Sequence, residues 1–204
     1  MKKTAIHYLV LLLLAVGFSA CKKDYGNHLG PLQDSVAAIP VTVTNQVYFE
    51  RFPVVTTTVS GTGATSSGTF TINFSIPADK GKIKEITKVA TGNSGVEYLQ
   101  DARYPNYLTT VVAGNGTNTI SFTSDLAAVR SYASRLSATF PTLPASATKT
   151  AAFAFTGTST GGSGTLTPNT NPQTPNQLRF FFLITLEDGT QLITTEVDVR
   201  LLPN

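Results

Sequence analysis

Leu178-Arg179-Phe180-Phe181-Phe182-Leu183-Ile184-Thr185-Leu186, then Glu187-Asp188-Gly189-Thr190, then Ile193-Thr194-Thr195-Glu196-Val197-Asp198-Val199-Arg200-Leu201 together decide the fold. In the first run both faces of an extended strand are apolar, Phe180, Phe182 and Ile184 on one and Phe181 and Leu183 on the other. That is the pattern of a strand covered on both sides and therefore central in its sheet. In the last run Ile193, Thr195, Val197, Val199 and Leu201 alternate with Glu196, Asp198 and Arg200, as a half-buried strand demands. Asp188-Gly189 between them suits the positive φ values of a type I′ turn, so a long terminal hairpin is expected.

Working outward, the same period of two recurs. Val41, Val43, Val47 and Phe49 share one phase; Phe70, Ile72, Phe74 and Ile76 alternate with Thr71, Asn73 and Ser75; Ile120 pairs with Phe122 and Phe153 with Phe155. Further strands are expected near Val54 to Ser60, Ile83 to Val89 and Tyr107 to Ala113. One helix interrupts them at about 125 to 137, where Leu126, Val129, Ala133 and Leu136 share a face and Ser124 or Thr123 is placed to cap it. Many short strands with one short helix predict an all-β fold: a single immunoglobulin-like antiparallel β-sandwich of about eight strands over residues 41–204. Such a length buries enough surface for one core without disulfides.

Composition fits this. Of 204 residues, 41% are hydrophobic and 13% charged, which excludes a disordered polyelectrolyte. Setting Lys2 and Lys3 aside from 15 Lys+Arg leaves 13 against 12 Asp+Glu, too balanced for the basic stripe of a nucleic-acid binder. Cys21 is the single cysteine, which excludes an intrachain disulfide and a cysteine-based zinc cluster.

The amino terminus gives an address. Met1-Lys2-Lys3 is a short positive region, Leu9 to Val16 is an unbroken apolar run, and Gly17-Phe18-Ser19-Ala20-Cys21 closes it. The apolar stretch is shorter than the roughly 20 residues a spanning helix needs, so residues 1–20 are expected to be a cleaved signal peptide. Phe18, Ser19 and Ala20 before Cys21 resemble the lipobox of bacterial lipoproteins, with Phe18 where the family prefers Leu. The resemblance implies that Cys21 carries diacylglycerol and an N-acyl chain, enough to hold a protein on a membrane. Cys21-Lys22-Lys23-Asp24 resembles the start of Bacteroidota lipoproteins sent to the outer membrane. Over most of residues 41–202 the chain resembles small lipoproteins of that group, a loosely defined family, through Arg179 to Thr190 and Glu196 to Arg200. This resemblance brings no catalytic residues.

Residues 21–40 are expected to form a flexible tether, interrupted by Gly26, Asn27, Gly30, Pro31 and Pro40. Asp34-Ser35-Val36 resembles the Bacteroidota O-glycosylation site, which makes Ser35 a candidate for modification. Within the domain, residues 156–177 are almost wholly Gly, Ser, Thr, Pro, Asn and Gln and are expected to be a disordered loop.

A second loop, Gly92 to Asn106, supplies the candidate ligand surface: Tyr98, Tyr104 and, just beyond, Tyr107, with Glu97, Asp101 and Arg103. Tyrosine rings stack on sugar faces, and carboxylates and guanidinium bind hydroxyls; the lack of Trp removes the strongest stacking platform. Triad chemistry needs a histidine in the domain, and His28 lies in the tether, so neither a Ser-His-Asp nor a Cys-His enzyme is expected. No metal site is expected. Glu97 with Asp101 is the pair that a glycosidase reading would use. The expectation is a non-catalytic, membrane-anchored envelope module that binds a glycan beside an outer-membrane complex, or a structural scaffold binding other proteins by its edge strands.

Overall fold

The computed structural model describes residues 39–62, 65–92, 95–139 and 166–204, all within one compact unit, Ile39–Asn204. The expected signal peptide, the lipobox Phe18-Ser19-Ala20, Cys21, Ser35, the Phe153-Phe155 pair and residues 156–165 lie outside the described residues.

Ten strands form a two-layer sandwich. In chain order they are β1 (Thr42–Val43), β2 (Tyr48–Phe49), β3 (Pro53–Val59), β4 (Thr69–Ser75), β5 (Ile83–Thr91), β6 (Val112–Ala113), β7 (Thr119–Asp125), β8 (Gln177–Leu186), β9 (Gln191–Ile193) and β10 (Val197–Pro203). One sheet runs β1-β4-β7 and the other β2-β3-β10-β8-β5-β6, with β9 also on β8. The two sheets make an all-β sandwich. It departs from an all-antiparallel one at a single pair of described strands: β10 runs parallel to β3, with Val199 opposite Val55 and Leu201 opposite Thr57. Among the described residues the strands number ten, against the eight or so expected, in one antiparallel and one mixed sheet. Two-residue strands at the edges escape any periodicity test.

The inner faces meet through aromatic rings. Phe70 and Phe74 of β4 approach Phe180 and Phe182 of β8 at 5.3 and 4.7 Å between centroids, and Phe122 of β7 reaches Phe182 at 5.1 Å. These side chains are buried, as the alternation of β4 and the two-faced apolarity of β8 predict. Tilted and edge-on pairs of this kind add to plain area burial.

Three local expectations change. The turn after β8 is not type I′: among the described residues positive φ occurs only at glycines, and here Gly189 alone, at +88°, is left-handed. Leu186 N–H donates to the Thr190 carbonyl at 2.9 Å and Gly189 N–H to the Leu186 carbonyl at 3.0 Å, so the hairpin closes on a three-residue loop. Beyond it the pairing slips by one residue, from Leu183 opposite Ile193 to Phe180 opposite Val197. This bulge turns Ile193 outward, 41% exposed, and buries Thr194 in its place. Thr194 N–H donates to the Phe182 carbonyl at 3.0 Å, and its Oγ1 accepts from Phe182 N–H at 3.3 Å.

Two α-helices are described, α1 (Gly95–Gln100) inside the expected loop and α2 (Leu126–Thr139). The cap of α2 is Asp125, whose Oδ1 accepts the Ala128 N–H at 2.8 Å, rather than Ser124 or Thr123. Ser124 instead pairs its hydroxyl with that of Tyr107 at 2.6 Å. Leu126, Val129, Tyr132, Ala133 and Leu136 form the buried stripe. No described helix is long and apolar enough to cross a membrane.

The segment 156–177 is corrected in its second half. Leu166 is fully buried and its carbonyl accepts from Ser66 Oγ at 3.0 Å; Asn176 is buried and donates through Nδ2 to the Thr167 carbonyl at 2.8 Å. Asn169 and Asn171 fold the stretch between them by accepting the N–H groups of Asn171 and Gln173, each at 3.0 Å. One large apolar residue and a chain of side-chain amides suffice to lay residues 166–176 against the sandwich.

Candidate functional site

Along β8, residues that alternate with the core aromatics face away from the sandwich interior: Gln177, Arg179, Phe181. The carboxy-terminal part of this face is covered by α1. Gly95 rests so close to the Phe181 ring that a Cβ there would lie 1.9 Å from Cδ2. Here five of the six expected ligand-surface residues come together. Tyr98 and Tyr104 stack at 4.2 Å between centroids, Tyr104 donates its hydroxyl to Glu97 Oε1 at 3.3 Å, and Arg103 Nε donates to Asp101 Oδ2 at 2.9 Å. Lys88 of β5 donates to the Asp101 carbonyl at 3.0 Å.

This surface is spent largely on itself. Tyr98 is buried against its neighbours. The hydrogen bond from Arg103 holds the Asp101 carboxyl below its usual range, and desolvation with the Glu97 charge raises the Tyr104 phenol. The pair that a glycosidase would need, Glu97 and Asp101, sits on one turn of α1 and just beyond it, with Asp101 committed to Arg103. Tyr107 does not join them. It is buried against Phe122, Tyr132 and Phe180 and lines a different groove, of about 400 Å³, with Ser124, Ser131 and Arg135.

The amino-terminal part of the same outer face carries a site that the sequence reading missed. The turn between β2 and β3, residues 172–175 and the adjoining stretches of β8 and β10 enclose a cleft of about 450 Å³. Its charged lining is Glu50, Arg51, Arg179, Glu196, Asp198 and Arg200. Register explains the grouping: Asp198 lies directly opposite Arg179, and Arg200 opposite Gln177, across the β8–β10 ladder. Arg179 Nε stands 3.1 Å from Glu196 Oε1. Arg200 pairs with Glu50 and lies over the Tyr48 ring at 4.7 Å.

Asp198 is the unusual member. It is 4% exposed, and its Oδ1 has no hydrogen-bond partner. Burial, and then the neighbouring Glu196 charge, push its carboxyl up to about 7, against the pull of Arg179. Such a group holds or gives up a proton near neutrality. Among the described residues no three His, Cys, Asp or Glu side chains are grouped to hold a metal ion. The missed signal was Glu196-Val197-Asp198-Val199-Arg200 itself, whose polar phase is that of a solvated strand face until residues 172–175 fold across it.

No family model, no curated protein and no solved structure matches this chain.

Proposed function

We propose that the protein is a non-catalytic, lipid-anchored binding module of the cell envelope, and that its ligand enters the cleft between β10, β8 and residues 172–175. The observation that carries this reading is Asp198, a buried carboxyl lining an open cleft with an oxygen left unpartnered. Buried polar atoms are almost always paired, and one that lines an open cleft is within reach of an incoming donor. The lining of carboxyl, guanidinium, amide and hydroxyl groups recognises a polar ligand, and Phe52 beside it offers apolar surface. The lipobox-like Phe18-Ser19-Ala20-Cys21 supports an outer-membrane address, with a glycan or an outer-membrane complex as the partner within reach. Retention of the full chain on a polysaccharide panel, lost on Asp198→Asn, is the expected result; no retention on any glycan ends the sugar reading.

A second reading has its own observation. Val47, Tyr48 and Phe49 are 55, 44 and 71% exposed at the outer edge of the mixed sheet, where β2 leaves one side unpaired by any described strand. An exposed apolar edge supports a structural scaffold that pairs with other proteins. Membrane pull-downs with Phe49→Asp separate the two: loss of a stable protein partner there, with glycan retention absent in the parent chain, favours the scaffold.

A further inference from the structure

We propose that the cleft takes an alkylammonium group, which supplies the counter-charge that the Asp198 carboxyl lacks. The inference rests on the cleft being the ligand site and adds the chemistry of what occupies it. Around Asp198 the charges come from four sides. Glu196 precedes it, Glu50 and Arg51 project from the β2–β3 turn, Arg179 faces it from β8, and Arg200 follows on β10. Arg200 is engaged by Glu50 and Tyr48, and Arg51 lies over the Phe52 ring at 5.3 Å. Arg179 stands 3.1 Å from Glu196 and lies opposite Asp198 in the ladder. Two carboxyls thus flank one guanidinium that is paired with Glu196, and Asp198 Oδ1 has no hydrogen-bond donor.

An ammonium group resolves both defects. It brings three N–H donors for Oδ1 and its neighbours, and a positive charge that lets Asp198 ionise beside Glu196. A hydroxyl offers the donor without the charge, so it leaves the repulsion between Asp198 and Glu196 in place. A divalent cation meets no grouped set of three ligands among the described residues. The volume of about 450 Å³ exceeds an ammonium head, and Phe52, Pro172 and Pro175 provide apolar surface for the carbon stem.

The test compares n-butylamine with n-butanol, matched in shape and differing in charge, against the full chain in neutral detergent. Butylamine is expected to bind at least tenfold more tightly. Its affinity rises by about tenfold per pH unit as pH climbs toward 7 and is level above, because binding must first displace the Asp198 proton. Calorimetry in buffers of different ionisation heat then reads release of about one proton per amine at pH 5.5 and none at pH 8.5. Asp198→Asn abolishes that slope and weakens amine binding at least tenfold, and Glu196→Gln weakens it as well, while Lys84→Ala changes neither. Equal binding of butanol, a flat pH profile, or undiminished amine binding by a folded Asp198→Asn chain overturns the proposal. Glycan retention without amine binding overturns the ammonium and spares the cleft; failure of both overturns the two together.

Discussion

Asp198 writes its burial into the pH dependence of the whole domain. Its carboxyl ordinarily titrates at 3.8, and in the fold it does so at about 7. The folded state therefore holds a proton that the unfolded chain has already released, and between those values folding is opposed by rising pH. Below the ordinary value both states are protonated and nothing is lost; above about 7 the penalty is complete and constant. Asp198→Asn, which removes the titration and keeps the shape, is expected to flatten this decline and to raise the melting temperature at pH 8 relative to the parent. Calorimetric melts from pH 4 to 8 check it, and a parent whose stability does not fall between pH 4 and 7 more than the variant's contradicts it.

At the scale of elements, α1 packs through Gly95, Tyr98 and Leu99, and the tightest approach is at Gly95. The Gly95 backbone sits on the Phe181 ring with no room for a methyl group. Gly95→Ala is expected to lift the helix from the sheet and cost about 1–3 kcal/mol, the usual penalty of overpacking, read from denaturant midpoints. Broadened or shifted Tyr98 and Tyr104 resonances accompany the loss, because their stack stands on this helix. The same element shows where sequence reading stops. The alternation of β4 and the double apolarity of β8 were legible because core burial stamps a period of two on the chain. The bulge at Thr194 was not, since a one-residue slip leaves local composition untouched and exchanges only which of Ile193 and Thr194 points inward. Of the tyrosines in the candidate loop region, Tyr98 and Tyr104 stack together, whereas the Tyr107 hydroxyl pairs with Ser124 of β7, a partner 17 residues away. The cleft was illegible for a related reason: Asp198 and Glu196 carry the pattern of a wet strand face, and their cover has no hydrophobic periodicity to announce that it folds back.

For the whole molecule, the last strand closes the sandwich. β10 pairs antiparallel with β8 and parallel with β3, so it joins the carboxy terminus to a strand near the start of the domain. Without it, β3 and β2 have no connection to the rest of their sheet. It also buries Val197, Val199 and Leu201, at about 1.5–3 kcal/mol each. Together these approach the 5–15 kcal/mol by which a domain of ordinary stability exceeds its unfolded chain. A chain ending after Glu196 is therefore expected not to fold, seen as loss of a cooperative melt and rapid proteolysis, whereas removing only the exposed Pro203 and Asn204 leaves the melt intact. A truncated chain that still melts cooperatively shows that β8 and β5 hold the core without closure. Because Asp198 and Arg200 lie on this same strand, the cleft and the closed sandwich form together when β10 docks.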